Sequence, residues 1–369
     1  MVDVHWVSNE TPDRFGQGGQ RRQFFQIEAL TRAGHEVRVV TLSGPQDDTS
    51  VRDVAADVHR VPRLEARGRV PLPWRRQAVQ RRLAHWGDVV VVAHGESWER
   101  FAWALPEGVP TVVDLHNVFS RWSRSTAEDD RWRDLERRIR ESADLVTVTS
   151  GREAGAVPGG PAPVLVVENG IDPAEWPVDP LPAATPVVKL FGNWSWAPNT
   201  AGLSWFAREV WPHVHAATGA RCEVAGSGVD PEVASTPGLV AHGRVDDLQG
   251  FLSDAWALAI PLPESVGSPV KYAEALAVGA PVITTEQGAP GHRDLPVISD
   301  DVSVWISTLT TWLDESLVPA VLAPDERQAQ LDDLSWSAAL VGLERWVTHR
   351  RCGPEPGDEA AGPPRTLAP

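Results

Sequence analysis

The sequence has few cysteines, the residues that form disulfide bonds and many structural metal sites. Only two of its 369 residues are cysteines, Cys222 and Cys352, and their wide separation predicts neither a disulfide framework nor a metal cluster. No apolar stretch approaches the roughly 20 residues that cross a bilayer. The opening residues lack the basic-then-apolar pattern of a secretory leader. These absences argue against a secreted scaffold or an integral membrane protein and predict a cytoplasmic one.

Positive charge is also scarce, since the formal net charge is −16. The first 160 residues are neutral, with 23 arginines and 23 acidic residues, so the remainder carries the whole imbalance. Phosphate contacts need a basic surface, and we therefore expect no nucleic-acid partner. Only two lysines stand against 32 arginines, a bias typical of a GC-rich genome such as that of an actinobacterium.

One basic run departs from this balance. Seven arginines between Arg63 and Arg82, offset by a single glutamate, alternate with apolar residues. Such a segment predicts an amphipathic face for peripheral contact with an anionic membrane, or for a phosphorylated acceptor. Arg75 and Arg76 are its candidate acceptor-side residues. A solvated helix face is the alternative interpretation.

Short β-branched runs alternate with longer amphipathic stretches, a pattern typical of parallel sheets built from βαβ units. We predict seven strands and then five, separated by a segment with five prolines between Ile171 and Pro186. The predicted organisation is an N-terminal domain over 1–171, a linker over 172–186 and a second domain over 187–335. A helix near 336–349 is expected to pack back on the first domain, and 353–369 to be disordered. This is an α/β protein of two tandem Rossmann-like domains that face a central cleft.

Ligands of open α/β sheets bind beyond the carboxyl ends of the strands. After the first predicted strand comes Gly16-Gln17-Gly18-Gly19, where glycines and a helix start favour an anion. Arg21 occupies the place of the third glycine of a dinucleotide fingerprint, which argues against a nicotinamide cofactor. The loop alone is weak evidence, because tight connections use the same residues.

A polar cluster, Asp114-Leu115-His116-Asn117, ends the strand that begins at Thr111. We expect it to face the cleft, where His116 would exchange a hydrogen bond with a substrate hydroxyl. A structural histidine bonded to neighbouring backbone is the alternative.

The densest candidate segment lies between Pro261 and Ile283. Gly267 and Ser268 precede a predicted helix whose free amides suit a diphosphate, and Lys271 lies one turn in. Glu274, three residues later on the same face, suits a ribose diol. A surface Lys–Glu pair is the alternative.

In their order along the chain, these motifs resemble the retaining glycosyltransferases of the GT-B fold, the large family-4 class that uses nucleotide-sugar donors. The resemblance covers residues 1–349. Besides the three segments above, it is carried by Glu168-Asn169-Gly170-Ile171-Asp172, Phe191-Gly192-Asn193-Trp194 with Pro198-Asn199, Gly226-Ser227-Gly228, Gly243-Arg244-Val245 and Glu274 through Val282.

The resemblance implies a sugar transfer from a UDP- or GDP-sugar to a hydroxyl of a glycan, lipid-linked or natural-product acceptor, without a cofactor or metal ion. His116 and Glu274 would be the catalytic residues, and Asp114 and Asn117 would lie on the acceptor side. The implied donor-binding residues are Gly18, Gly19, Gly192, Asn193, Arg244, Val245, Glu264, Gly267, Ser268, Lys271 and Glu274.

Two departures from the family pattern leave alternatives open. Val266 stands where the family often has a second glutamate, with Glu264 two residues away, and no basic pair follows the first strand of the donor domain. Lys271 and Arg244 would then carry the charge that grips the diphosphate. A catalytically weak partner subunit, or a nucleotide-sugar epimerase of the same fold, are the other interpretations.

Overall fold

The computed structural model describes residues 1–42, 50–61, 87–121, 126–177, 179–263, 269–289, 296–314, 316 and 321–350. Within these residues the strands form two parallel sheets, one in each half of the chain. The expected α/β class with two Rossmann-like sheets is confirmed.

The first sheet has the strand order β3-β2-β1-β4-β5-β6-β7. Its central strand β4 consists of four consecutive valines and an alanine, all fully buried, because a parallel sheet is covered on both faces. The strands are β1 (Asp3–Ser8), β2 (Glu36–Leu42), β3 (Asp57–Val61), β4 (Val89–Ala93), β5 (Thr111–Leu115), β6 (Leu145–Val148) and β7 (Val164–Val166).

The second sheet has the order β10-β9-β8-β11-β12-β13. Its strands are β8 (Val187–Phe191), β9 (Arg221–Ala225), β10 (Leu239–Gly243), β11 (Ala257–Ile260), β12 (Val282–Thr284) and β13 (Val297–Ile298). The strand order reverses between β1 and β4 in one sheet and between β8 and β11 in the other. Such switch points open a crevice at the carboxyl ends of the strands, which is where a ligand of this fold binds.

Helices cover both faces of each sheet, and apolar clusters fill the space between. One predicted helix, from Thr200 to Val214, is instead interrupted by a π-helical turn over Phe206–Val210, just before Pro212, which has no N–H to continue the ladder. The described helices are α1 (Gly18–Arg32), α2 (Ser50–Val54), α3 (Gly95–Phe101), α4 (Thr126–Ser142), α5 (Gly151–Ala156), α6 (Ala197–Trp205), α7 (Trp211–Thr218), α8 (Pro231–Ala234), α9 (Leu248–Ser253), α10 (Val270–Val278), α11 (Val302–Trp312), α12 (Pro324–Asp333) and α13 (Trp336–His349). None of the helices in these described segments is both long and apolar enough to cross a membrane.

The chain crosses between the two sheets twice, and the crossings lie side by side. Ile171 bonds through its backbone to Leu334 and Trp336. A Cβ on Gly170 would come within 2.7 Å of the backbone nitrogen of Trp336, so only glycine allows this approach. Beyond the second crossing α13 packs against α1, with the Trp336 ring stacked 5.5 Å from that of Phe25. Both crossings therefore sit next to α1, the helix that borders the cleft.

Candidate active site

A cavity of about 550 Å³ lies between the carboxyl ends of the two sheets. The loops after β1, β4, β5 and β6 line it from one side, and the loop after β8 together with α10 lines it from the other. The lining residues are Glu10, Gly16, Gln17, Gly18, Gly19, Arg21, Arg22, His94, His116, Asn117, Thr149, Asn169, Phe191, Gly192, Asn193, Trp196, Asn199, Pro269, Val270, Lys271 and Glu274.

A buried ion pair underlies the N-terminal side of the cavity. Arg22 donates from Nε and Nη2 to the carboxylate of Asp114, at 3.0 and 2.8 Å, and from Nη1 to the Val167 carbonyl at 2.8 Å. Asp114 is fully buried and also accepts hydrogen bonds from Thr147 and Gln26. Burial would raise the pKa of Asp114, but Arg22 and His116 outweigh it and hold that pKa well below its usual range. Asp114 thus lies beneath the cavity rather than in it, which corrects its expected place on the acceptor side.

His116 lies directly above this pair. Its Nε2 is 3.0 Å from Asp114 Oδ2, and burial together with the neighbouring His94 lowers its pKa to about 4 despite the nearby carboxylate. The ring is therefore neutral at pH 7, and a carboxylate beside Nε2 favours the tautomer with the proton there. Nδ1 then carries the lone pair. It lies on the side of Gly19, where a Cβ would come within 3.2 Å of it. Glycine at position 19 keeps the space beside this nitrogen open.

His94 is the one residue other than glycine with a positive φ in the described part of the chain. Its backbone has φ 72° and ψ 145°, a region that side chains rarely enter. The conformation brings its ring to 3.6 Å from that of His116, centroid to centroid, and its Nε2 to 2.8 Å from Glu10 Oε1. Burial would raise the pKa of Glu10, but hydrogen bonds with His94 and Gln23 outweigh it and hold that pKa below its usual range. A backbone held under strain beside a cavity is a mark of a functional residue.

The opposite wall is built around Lys271, in the first turn of α10. Its Nζ donates to Asn199 Oδ1 at 2.6 Å and lies 5.5 Å from the centre of the Trp194 ring. A Cβ on Gly192 would come within 3.0 Å of the same Nζ, so glycine leaves room for the ammonium group. Burial lowers the pKa of Lys271 to about 8, against the opposing effect of Glu274.

An ion-pair chain connects the two walls. Arg21 of α1 donates from Nη1 to Glu274 Oε1 at 2.6 Å and from Nη2 to Glu175 Oε2 at 3.2 Å. Arg14 donates to Glu175 at 3.0 Å and to Asp172 at 2.9 Å. Both arginines belong to the first domain, whereas the carboxylates belong to the linker and to α10. These ion pairs therefore join the first domain to the linker and to the donor side.

The structure brings together eight of the sixteen residues singled out from the sequence. Gly18, Gly19, His116, Asn117, Gly192, Asn193, Lys271 and Glu274 all line the cavity. Arg244 is exposed and Val245 packs against an apolar cluster of the second domain, and neither is a lining residue. Glu264, Gly267, Ser268, Arg75 and Arg76 lie outside the described residues, as does the arginine run after Arg63.

Sequence reasoning missed several lining residues: Glu10, Arg21, Arg22, His94, Thr149, Asn169 and Asn199. His94 had a usable signal, because it ends the apolar strand β4 just as His116 follows β5. The described residues contain no group of three His, Cys, Asp or Glu side chains arranged to hold a metal ion. That the reaction proceeds without a metal ion stays a prediction.

Two family models match the chain in succession. Residues 17–175 match Glycosyltransferase Family 4, and residues 185–314 match Glycosyl transferases group 1. None of the curated proteins matches the chain significantly in sequence.

Solved structures of similar fold span nearly the whole chain. Sucrose-phosphate synthase from Thermosynechococcus elongatus superposes with a TM-score of 0.69 at 17% identity, covering 95% of this chain and 99% of that one. Anabaena HepE in complex with UDP and glucose gives a TM-score of 0.69 at 14% identity, covering 94% and 100%. WaaG, a glycosyltransferase involved in lipopolysaccharide biosynthesis, gives 0.61 at 14%, covering 96% and 100%. These likenesses confirm the expected GT-B fold.

Proposed function

We propose that this chain, a GT-B glycosyltransferase of the family-4 and group-1 type, transfers a sugar from a UDP- or GDP-sugar to an acceptor hydroxyl with retention of anomeric configuration. One observation carries the proposal. A neutral histidine on one domain and a lysine–glutamate pair on the other converge on a single cavity between the domains. HepE, of similar fold, binds UDP and glucose. This likeness supports a nucleotide-sugar donor here.

The donor is expected to lie with its nucleotide on α10 and its sugar toward His116. Glu274 accepts hydrogen bonds from the ribose hydroxyls, and Lys271 places a positive charge at the diphosphate. Asn193 and the backbone at Gly192 border the diphosphate on the same wall. The neutral His116 accepts a hydrogen bond through Nδ1 from a hydroxyl of the transferred sugar.

In the reaction the bond between the anomeric carbon and the diphosphate oxygen breaks, and a bond to the acceptor oxygen forms on the same face of the sugar. The acceptor proton passes to the departing phosphate oxygen. The protein then supplies position and charge stabilisation rather than a nucleophile. Lys271 contributes most as the bond breaks, because negative charge then accumulates on the leaving diphosphate. No step of this scheme uses a metal ion.

The acceptor enters from the side of Glu10, His94 and Asn117. A lipid-linked or phosphorylated glycan is the acceptor we favour, because the arginine run from Arg63 to Arg82 belongs to the acceptor-side domain. The same run would hold the enzyme at the cytoplasmic face of an anionic membrane. Co-sedimentation with vesicles rich in anionic lipid tests this: R75E/R76E should lose binding, and equal binding by both proteins would contradict it.

Titration of the protein with UDP, GDP, ADP and dTDP, followed by calorimetry, tests the donor site. We expect micromolar binding of one nucleotide, lost in Glu274→Ala and kept in Glu232→Ala. The second variant removes an exposed glutamate of α8 and so controls for the change of charge in the same domain. Binding of neither UDP nor GDP would reject the proposal. Binding without turnover on any acceptor would favour the partner-subunit alternative, and release of an epimeric sugar without acceptor would indicate the epimerase.

A further inference from the structure

The donor wall is short of positive charge for a diphosphate. Among the described residues that line the cavity, the lysine and arginine side chains are Lys271, Arg21 and Arg22. Arg22 is 1% exposed, and its nitrogens are taken up by Asp114, Val167 and Asn169. Lys271 alone cannot balance a group that carries at least two negative charges.

Arg21 is the remaining cation among the described lining residues, and it pairs with Glu274, one turn of α10 beyond Lys271. Its Nη1 is 2.6 Å from Glu274 Oε1, and Glu274 follows Lys271 by three residues, one turn of α10. The Arg21 side chain is 23% exposed and is one of the residues that line the cavity. It reaches the donor wall from α1, on the opposite domain.

The carboxylate that Arg21 holds is the one that the proposed function assigns to the ribose. Nη1 occupies one of the lone-pair sites of Oε1, so the carboxylate has less capacity left for the two hydroxyls of a ribose diol. Arg21 also has a second anchor, because Nη2 stays on Glu175 of the linker at 3.2 Å. The guanidinium is a rigid plane, so Nη1 leaves Glu274 only when the whole group tilts about its contact with Glu175.

We propose that Arg21 is a donor-binding residue that exchanges partners across the cleft. In this structure it pairs with Glu274. When the donor enters, the ribose takes the carboxylate of Glu274 and the guanidinium turns to the diphosphate, for which its planar set of N–H donors is well suited. This inference rests on the proposed function and adds to it that the diphosphate is gripped from both domains.

In this proposal Arg21 binds the diphosphate and Glu274 binds the ribose. Substitution of Arg21 should therefore change the affinity for a nucleoside diphosphate and the affinity for its parent nucleoside in different ways. In Arg21→Gln we expect the affinity for UDP or GDP, whichever the wild type binds, to fall about tenfold or more. The affinity for uridine or guanosine should stay equal or rise, because Glu274 is released. Glu274→Gln should have the opposite effect: the affinity for the nucleoside should fall, and the contribution of the diphosphate to binding should fall less. Arg21→Lys, which keeps the charge without the planar donors, should lie between Arg21→Gln and the wild type.

Arg14→Gln is the matched control. Arg14 binds the same Glu175 but is not a cavity-lining residue, so the ratio of the two affinities should not change. Equal changes of nucleoside and nucleoside diphosphate in Arg21→Gln, in either direction, would reduce Arg21 to a structural or blocking contact and overturn the inference. A wild type that binds neither UDP nor GDP would instead overturn the proposed function, and a wild type that binds one of them leaves only the role of Arg21 at stake.

Discussion

We expect the affinity for the nucleotide to fall as the pH rises, because Lys271 loses its proton. The size of the fall depends on how far the surroundings of Lys271 lower its pKa. Burial between Asn199, Trp194 and Gly192 lowers its pKa to about 8 in the empty cleft. A bound diphosphate places negative charge beside the ammonium group and returns its pKa to the ordinary value of about 10.4 or above. The donor complex therefore holds a proton that the free protein loses above pH 8.

The sign follows from this difference in bound protons. Below pH 8 both states carry the proton, and affinity is independent of pH. Above it the free protein must first be protonated, so affinity falls up to tenfold per pH unit until the pKa of the complex is reached. With a pKa of about 8, the ammonium form makes up about 0.9 of the free protein at pH 7 and about 0.1 at pH 9. The dissociation constant should rise about tenfold between these values, which corresponds to about 1.4 kcal/mol.

Isothermal titration of the wild type, Lys271→Met and Lys271→Arg with the same nucleotide at pH 7, 8 and 9 measures this effect. The phosphate ionises with a pKa of about 6, so the charge of the ligand hardly changes over the range. Lys271→Met should bind more weakly at pH 7, by about 1–3 kcal/mol, and show no such slope. Lys271→Arg should also be flat, because a guanidinium stays charged throughout. An equal slope in wild type and Lys271→Met would assign the titration to another group and refute the argument.

Three further predictions concern the first domain. His116→Ala should lower kcat about 100-fold or more with an unchanged circular dichroism spectrum, because the neutral imidazole lies at the sugar side of the cavity, and near-normal turnover would end its assigned role. Asp114→Asn should lower the free energy of unfolding in urea by about 3–5 kcal/mol, since it leaves the buried Arg22 unpaired. Asp134→Asn breaks only exposed pairs on α4 and should change it by less than about 1 kcal/mol, so similar losses in both variants would contradict the argument. At position 94 the usual order of residues should invert: His94→Gly should be more stable than His94→Ala by about 1 kcal/mol, because only glycine adopts φ 72° without strain, and a more stable alanine variant would show that no strain is present.

The fold was predictable because the strands of a parallel sheet are buried on both faces and therefore appear in the sequence as short apolar runs. The valine runs of β4 and β5, buried on both faces, could be nothing but central strands, and the loops that follow them pointed to His116. The same logic led to Lys271 and Glu274, which open a helix after a strand. Local order along the chain was sufficient for all three residues.

Asp114 was misplaced for a reason that strand geometry explains. Side chains two residues apart share a face of the sheet, so Asp114 points the same way as Val112, which packs in the cluster beneath α1. Its end-of-strand position suggested the cleft, but the helix above it closes that face. Arg22, 92 positions earlier, supplies the charge that makes this burial tolerable. Residues so far apart in sequence share no helix or strand periodicity, so neither Arg22 nor Asp114 alone indicated that they would pair.

The acidic balance of the second half argues against a nucleic-acid partner, but it does not decide whether a small nucleotide binds in the cavity. Charges beyond about 8 Å are largely screened at physiological ionic strength, so the groups inside the cavity decide what binds there. Three carboxylates near the cavity, Asp172, Glu175 and Glu274, are turned toward arginines of the neutral first domain. Because arginines pair with Asp172 and Glu175, these two carboxylates place little opposing charge beside Lys271 and the N-terminus of α10. The net charge of a domain therefore says little about its ligand when its acidic residues find partners across the cleft, and such partners become visible only when the two domains are seen together.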